Sequence, residues 1–263
     1  VTAGDIRDLL EKMQTLAAQA EKTLGIDALL ALAHEAEPLD YTPAVLPKKE
    51  KIRLAVARDN AFCFYYEDSL DAVREMGGEL VPFSPITDGA LPENIDGLYL
   101  GGGYPELYAK ELGENASMRA SVRAALERGV PCIAECGGFQ YLQQALEGED
   151  GALYPMVGFL KGKSFRTGGL RRFGYVNLTA CKDNLLCRAG EGFAAHEFHY
   201  WDSTEPGADM CARKPQSDRG WDCVVCDEHF WGGYPHLFFY SNPQMAKNFL
   251  NRCEQYHRQK EGI

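Results

Sequence analysis

The sequence predicts an α/β protein in which a central, mostly parallel sheet is flanked by helices. Two observations predict this fold. After residue 48, short apolar strands alternate with longer segments of helical periodicity, which is the pattern of βαβ units. Two of these strands end in glycine runs, at residues 101–103 and 137–138, as expected where the backbone turns at the carboxyl edge of such a sheet.

A helical extension is predicted ahead of this domain. Residues 6–24 and 26–36 place apolar side chains at helical spacing. Residues 37–50 carry three prolines and are interpreted as a linker. We therefore expect residues 1–47 to form a helical extension and linker, and residues 48–263 to form the main domain.

The elements of the main domain follow from the apolar runs and their end signals. Asn115 is predicted to cap one helix, which Gly129 ends, and the last helix begins after Ser241 or Asn242. From residue 152 to that helix the pattern is mostly β. The strands predicted before residue 152 cover residues 51–59, 79–85, 95–103 and 131–136. The predicted helices of the main domain cover residues 65–77, 115–129, 138–146 and 242–259.

The charge balance excludes some classes of partner. The chain carries a formal net charge of −11, which argues against a nucleic-acid partner because phosphate contacts need a basic surface. No apolar run approaches the roughly 20 residues of a membrane-spanning helix, and the charged N-terminus lacks a signal-peptide core. We therefore expect no membrane partner.

The nine cysteines are scattered and odd in number, which favours reduced thiols and a cytoplasmic location over a disulfide framework. Cys223 and Cys226 have CxxC spacing, but the chain offers no second ligand pair of the kind that a zinc site needs. We therefore predict no metal site and interpret this pair as part of an apolar strand.

Cys136 is the candidate nucleophile. It ends the predicted strand in "PCIAECGGFQ", directly before two glycines and a helix. Such an elbow presents the side chain, and the amino end of the helix supplies N–H groups and a positive dipole that favour a thiolate and an oxyanion. Cys132 lies within the same strand among apolar neighbours and is predicted to belong to the core.

A cysteine nucleophile needs a base, and His236 is the candidate among six histidines. It follows a turn late in the chain and opens the apolar segment before the last helix. His196 and His199 are expected to share one face of a strand, with Glu197 on the other face. That face is either a binding edge or a polar surface over solvent.

Several separate motifs resemble one known family. They are Gly-Gly-Gly-Tyr-Pro-Glu at 101–106, Ala-Glu-Cys-Gly-Gly at 134–138, Arg-Phe-Gly-Tyr at 172–175 and His-Glu-Phe-His-Tyr at 196–200. Together, over about residues 20–245, they resemble the C-terminal class I glutamine amidotransferase domain of cobyrinic acid a,c-diamide synthase. The resemblance implies a flavodoxin-like class I glutamine amidotransferase fold.

The resemblance also implies residue roles. Cys136 would attack the side-chain amide of glutamine, and His236 would protonate the departing ammonia and then activate water. The implied oxyanion hole consists of Gly102, Gly103 and Gly137. The substrate-binding candidates are Gln140, Glu197, His199 and Tyr200.

The role of Gln140 and the acid that would orient His236 both remain open at the level of the sequence. Gln140 follows the cysteine by four positions, where class I amidotransferases carry a glutamine that contacts substrate, and its alternative is a solvated helix residue. Many members place an acid two residues after the histidine, but Leu237 and Phe238 follow His236 here. The resemblance therefore implies a Cys-His dyad, with Glu197 a weak candidate for the group that orients the imidazole.

The family carries an N-terminal ATP-binding domain, whose GxxxxGK[ST] pattern is absent from this sequence. Since the chain also starts with Val, we expect a piece of a longer protein. This piece would hold no cofactor, and ATP and Mg²⁺ would bind the missing N-terminal domain. The ammonia would serve cobyrinic acid or a related tetrapyrrole such as nickel sirohydrochlorin.

Other interpretations stay open at this point. The basic stretch 162–175 either faces the synthetase domain or the macrocycle, or is a solvated glycine-rich loop. A stand-alone cysteine hydrolase of flavodoxin-like fold and a binding domain with an inactive site are the competing functions. Association of the chain into a homodimer also stays open.

Overall fold

The computed structural model describes Ile6, residues 8–42 and residues 51–262. The chain divides into two compact units after Val45. The predicted boundary near residue 48 falls outside the described residues.

The described part of the N-terminal unit contains two helices, α1 (Leu9–Thr23) and α2 (Ile26–His34), close to their expected bounds. Gly25 precedes the first residue of α2 and separates the two helices. None of the residues of either helix is buried. The predicted helical extension is confirmed.

The C-terminal unit alternates strands with helices in its first half and is mostly β in its second half. In chain order its elements are β1 (Ile52–Ala57), α3 (Glu67–Glu75), β2 (Gly78–Phe83), β3 (Gly97–Leu100), α4 (Ala109–Glu114), α5 (Ala116–Glu127), β4 (Cys132–Glu135), α6 (Gly137–Leu142), β5 (Ala145–Glu147), β6 (Leu153–Pro155), β7 (Lys163–Ala180), β8 (Gly192–Ser203), β9 (Met210–Arg213), β10 (Gly220–Cys223), β11 (Val225–Cys226), β12 (Phe230–Gly233), β13 (His236–Leu237) and α7 (Pro243–Glu261). Short 3₁₀ turns cover Pro105–Tyr108 and Phe239–Ser241.

The central sheet has six strands in the order β11-β12-β4-β3-β1-β2. All neighbours run parallel except β11 and β12, which pair antiparallel. The chain passes from β1 to β2 on one side and then to β3 and β4 on the other. The strand order therefore reverses between β1 and β3, and in such sheets the crevice at the carboxyl ends of the strands next to this point holds the ligand.

Both faces of the central sheet are covered, which explains why its strands are mostly apolar rather than strictly alternating. In β1, Ile52, Leu54 and Val56 belong to one buried layer, while Ala55 and Ala57 belong to the other. Helices and the second sheet supply the two covers. Parallel strands are typically buried on both sides in this way.

The second sheet contains β5 to β10 together with β13. Its centre is the long antiparallel pair of β7 and β8, which is interrupted by register shifts between Arg166 and Gly174. The short strand β13 pairs with β8 and sets His236 opposite His196. The second sheet thereby fixes where the candidate base lies.

The helix predicted at 138–146 is shorter in the structure and ends at Leu142. Gln143 has extended backbone angles, and its side-chain amide bonds to the hydroxyls of Ser164 and Ser203. The next amide, at Gln144, donates to the carbonyl of Gly162. These bonds to the second sheet draw the chain into β5 instead of a further helical turn.

The helix caps behave as predicted. The Asn115 side chain accepts from the amide of Met118 and so caps α5. Of the two candidates at the last helix, Asn242 is the cap, because its side chain accepts from the amide of Gln244. Side-chain capping of this kind satisfies amide groups that have no partner within the helix.

Candidate active site

Cys136 sits on a strained elbow between β4 and α6. Its φ of 44° and ψ of −100° place it in a region that L-residues rarely adopt. Its amide donates to the carbonyl of Gly233 at 2.7 Å, and its own carbonyl accepts from Gln140 at 3.0 Å. The surrounding bonds therefore impose the strained conformation, which presents the thiol at the carboxyl edge of the central sheet.

Gly138 allows this elbow to pack against the neighbouring strand. A Cβ at this position would lie 2.2 Å from the carbonyl oxygen of Leu100. The Gly138 amide donates to the carbonyl of Gly101 at 3.0 Å. Only glycine fits so close an approach of two backbones.

His236 is buried beside Cys136. Burial alone would lower the pKa of this imidazole, but the adjacent Cys136 sulfur and the Glu135 carboxylate raise it to about 10. The ring of Phe64 packs edge-on against the imidazole, with 4.7 Å between centroids. The structure thus brings together the two residues that the sequence singled out, in an environment that favours the protonated form of His236.

Glu135 is the acid that sequence reasoning missed. It is 2% exposed, and its Oε2 lies 3.6 Å from Nδ1 of His236. Its Oε1 accepts a hydrogen bond of 2.7 Å from the hydroxyl of Tyr99. A carboxylate held this way favours the tautomer and the orientation that a catalytic imidazole needs. The signal in the sequence was an acidic residue at the end of an otherwise apolar strand.

The expected Cys-His dyad, for which the orienting acid was left open, is therefore extended by Glu135. Glu197, the earlier candidate for the orienting acid, is placed elsewhere. It is fully buried under the β7–β8 pair, near Arg172 and Trp221, and burial raises its pKa to about 7. The structure also does not bring Glu197 to the candidate substrate cavity.

The glycine-rich turn after β3 reaches the amino end of α6. The amide nitrogen of Gly103 would lie 3.2 Å from a Cβ placed on Gly137, so these two backbones are adjacent. Neither amide donates to a backbone oxygen among the described residues. Gly102 instead packs against the imidazole, since a Cβ there would lie 2.4 Å from Cε1 of His236. Gly103 and Gly137 thus offer paired N–H groups, while Gly102 makes room for the base.

A cavity of about 330 Å³ opens at this edge of the sheet. Its size suits a small ligand. Among the described residues its lining consists of Phe64, Gly103, Tyr104, Glu106, Cys136, Gln140, His196, Phe198, His199, Tyr200, Trp201 and His236.

Three of the four predicted substrate-binding residues line this cavity, namely Gln140, His199 and Tyr200. Gln140 is 3% exposed, so the alternative of a solvated helix residue is wrong. Its Oε1 has no hydrogen-bond partner among the described residues. Buried polar atoms are normally paired, so this oxygen is available to a ligand.

His199 also carries a buried hydrogen-bond acceptor that is available to a ligand. Its Nδ1 lies 2.6 Å from the carbonyl oxygen of Trp201, which fixes the proton on that nitrogen. Burial lowers the pKa of His199 to about 4, so the ring is neutral at pH 7. Its Nε2 is a buried lone pair with no partner among the described residues. Stacking on Tyr234, with 4.0 Å between ring centroids, holds the ring in place.

The expectation that His196 and His199 share a strand face is wrong. They are three positions apart, so the two-residue alternation of a strand puts them on opposite faces. His199 and Glu197 lie on the buried face, and His196 is half-buried on the other. Both histidines still border the cavity because it lies at the edge of this sheet.

The structure also locates the other cysteines that the sequence singled out. Cys132 is fully buried, as predicted. Cys223 and Cys226 are also buried, but they lie on two short strands, β10 and β11, rather than on one. Among the described residues no group of three His, Cys, Asp or Glu side chains is arranged to hold a metal ion.

The basic stretch 162–175 lies almost entirely in β7, but its glycine-rich centre at 167–170 falls in a break of the pairing with β8, and most of the stretch is exposed. Arg166 lies over the ring of Trp201 at 5.5 Å, and Arg172 lies 3.8 Å from Asp202. These two contacts tie the arginines to residues of β8 and leave the role of the stretch open. No helix among the described residues is long and apolar enough to span a membrane.

Comparison with known proteins fits this geometry. Residues 53–244 match the model of the CobB/CobQ-like glutamine amidotransferase domain. The chain is 36% identical over 97% of its length to a cobyrinate a,c-diamide synthase from Caldanaerobacter subterraneus subsp. tengcongensis, and 39% identical over 95% of its length to one from Streptococcus sanguinis. It spans 57% and 56% of the length of these two relatives.

Solved structures share the fold at low sequence identity. The chain of PurLQS from Thermotoga maritima aligns with a TM-score of 0.53 at 17% identity, covering 78% of this chain and 99% of that chain. A crystal structure of a glutamine amidotransferase gives the same TM-score and covers 76% of this chain and 98% of that one. The expected class I amidotransferase fold is therefore confirmed, and the chain belongs to the family of CobB/CobQ-like glutamine amidotransferase domains.

Proposed function

We propose that this domain hydrolyses glutamine through a thioester on Cys136 and supplies the ammonia to an ATP-dependent amidation of a tetrapyrrole carboxylate. The proposed hydrolysis rests on one observation: Cys136 at the elbow lies beside the buried His236, whose Nδ1 faces Glu135. The second half rests on the relatives, which are named as cobyrinate a,c-diamide synthases.

The chemistry follows from the positions of the groups. The Cys136 thiolate attacks the amide carbon of the glutamine side chain, and the oxygen takes up the negative charge. The N–H groups of Gly103 and Gly137 stabilise that charge, each by about 3 kcal/mol. The His236 imidazolium gives its proton to the nitrogen, the C–N bond breaks and ammonia leaves. Water deprotonated by His236 then cleaves the thioester and releases glutamate.

Glu135 acts through His236 in this scheme. Its charge favours the imidazolium that donates the proton, and its position beside Nδ1 leaves the other ring nitrogen for the reaction. The Tyr99 hydroxyl holds the carboxylate from its other oxygen. Glu135 is thus a positioning residue in a triad whose acid directly precedes the nucleophile in the chain.

The acceptor reaction belongs to the part of such relatives that this chain does not span. ATP and Mg²⁺ would bind there, and the macrocycle would be activated there. Cobyrinate is the proposed acceptor, with nickel sirohydrochlorin as the alternative to be compared in the full-length protein. Amidation of one acceptor and not the other decides between them.

Glutamate release from glutamine, measured with the intact chain, tests the proposed hydrolysis. We expect turnover of glutamine but not of peptides or esters, and labelling of Cys136 by a glutamine-mimicking diazo-ketone. Cys136→Ser should remove both signals, and the matched control Cys181→Ser, at an exposed cysteine, should keep both. Hydrolysis that survives in Cys136→Ser would contradict the proposed nucleophile.

A further inference from the structure

Apart from the His236 imidazole beside Cys136, the cavity offers mainly hydrogen-bond acceptors. Among the described residues that line it, Glu106 is the only carboxylate, and no lysine or arginine lines it. Two lining residues also carry acceptor atoms that have no hydrogen-bond partner in the part of the chain that the structure describes, Oε1 of Gln140 and Nε2 of His199. Such an arrangement suits a ligand that brings its own positive charge and its own N–H donors.

Glu106 follows the glycine-rich turn, within the 3₁₀ turn Pro105–Tyr108. None of the lysines and arginines among the described residues forms an ion pair with its carboxylate. Burial raises the pKa of this carboxyl group to about 7. A carboxylate that loses water without forming an ion pair to a lysine or arginine is destabilised, and a bound cation relieves that penalty.

A chain of hydrogen bonds ties Glu106 to the strand that carries His199. Nδ1 of His199 bonds to the carbonyl of Trp201, whose indole N–H donates to the carbonyl of Glu147 at 2.7 Å. Two residues further on, the amide of Glu149 donates to the carbonyl of Glu106 at 3.2 Å. The two acceptor groups therefore border one cavity on elements that are braced against each other.

We propose that Glu106, together with the neutral His199, forms the subsite that recognises the α-ammonium group of the substrate amino acid. The Glu106 carboxylate supplies the charge, and the Nε2 lone pair of His199 accepts one N–H bond. Cys136 lines the same cavity and reacts with the other end of the ligand, the side-chain amide. This assignment rests on the proposed hydrolysis of glutamine and adds how the site selects an α-amino acid over a simple amide.

The test compares glutamine with glutaramate, the same molecule without its α-ammonium group. Binding is measured calorimetrically to the Cys136→Ser chain, so that no turnover occurs. We expect glutamine to bind about ten- to a hundredfold more tightly than glutaramate, as a charge-assisted hydrogen bond typically gives. Glu106→Gln in this background should weaken the binding of glutamine by a similar factor and leave the binding of glutaramate almost unchanged. The preference for glutamine over glutaramate should therefore disappear.

Glu149→Gln is the matched control, because Glu149 lies nearby but does not line this cavity. It should keep the full preference. Glu106→Asp, which retains the charge, should keep part of the preference, and it serves as the second variant if Gln is not tolerated at this position. If Glu106 had only a structural role, Glu106→Gln would weaken the binding of both ligands equally, and that result would overturn the proposed subsite. If the Cys136→Ser chain binds neither ligand, the proposed function itself fails.

Discussion

Oε2 of Glu135 lies 3.6 Å from Nδ1 of His236, and both side chains are almost completely buried. The acid of this site thus comes from the residue directly before the nucleophile, and not from the segment that carries the histidine. Glu135 is the last residue of β4 and Cys136 the elbow residue after it, and His236 contacts both. One short turn therefore supplies both the nucleophile and the group that orients its base.

Replacing Glu135 by Gln should lower glutamine hydrolysis by about two to four orders of magnitude, as loss of an orienting carboxylate does in other triads. The amide keeps the shape of the side chain and can still accept from the Tyr99 hydroxyl, so the fold should be retained. Steady-state glutamate release measures the effect, and circular dichroism controls for folding. Full activity in Glu135→Gln would remove Glu135 from the mechanism.

The alkaline limit of activity should report on His236. Its pKa is raised to about 10 by Cys136 and Glu135, so the imidazolium that protonates ammonia persists well above neutral pH and is lost as the pH rises through that value. Removing the negative charge at Glu135 lowers this pKa. The descending limb of the pH–rate profile of Glu135→Gln should therefore move to lower pH. A limb at the same pH in both proteins would show that Glu135 does not act on the imidazole.

Much of this site follows from the sequence, and the part that does not has a physical reason. Cys136 and Gly138 are marked by local chain geometry, since an apolar strand followed directly by glycines and a helix makes an elbow. Glu135 escaped because its partner, His236, is a hundred residues away along the chain. The parallel pairing of β12 with β4, which sets Gly233 opposite Glu135, and the pairing of β13 with β8 bring that residue to the elbow.

The strand that carries His199 shows a second limit of the sequence. The pattern of its side chains identified a polar strand, but which of its faces is buried depends on register. The packing of β8 within the folded domain decides that His199 and Glu197 lie on the buried face of this strand. The same dependence explains the short α6, which ends because Gln143 bonds to residues far along the chain.

Gly138→Ala should disrupt the elbow. The added Cβ would lie 2.2 Å from the carbonyl oxygen of Leu100, and neither backbone can yield without moving a strand. We expect a loss of about 1–3 kcal/mol in the free energy of unfolding, together with reduced labelling of Cys136. Gly168→Ala is the control, since an added Cβ there meets no atom within 4 Å, and its stability should change by less than about 0.5 kcal/mol. Equal stabilities of the two variants would contradict the close packing of the elbow.

Asp96 should stabilise the fold in a pH-dependent way. It is fully buried, and despite that burial its pKa is lowered by Lys260, the amide of Arg53 and His257. A lowered pKa means that the stabilisation is present above the pKa of the unfolded chain, near 4, and is lost as the pH falls through the lower value of the folded state.

Asp96→Asn should therefore cost about 3 kcal/mol of unfolding free energy at pH 7, because it leaves Lys260 without its buried counter-charge and weakens the bond from the amide of Arg53. The difference from the unchanged protein should shrink as the pH is lowered below about 4. Urea denaturation at several pH values measures both effects. A difference that stays constant over this range would show that the ion pairs of Asp96 do not contribute.

The central claim is that glutamine forms a thioester with Cys136 while His236 and Glu135 assist. Mass spectrometry of protein quenched in acid during glutamine turnover tests it most directly. The account predicts a γ-glutamyl group on the peptide that contains Cys136, and on no peptide that contains another of the cysteines. Turnover without this adduct, or with the adduct on a different cysteine, would contradict it.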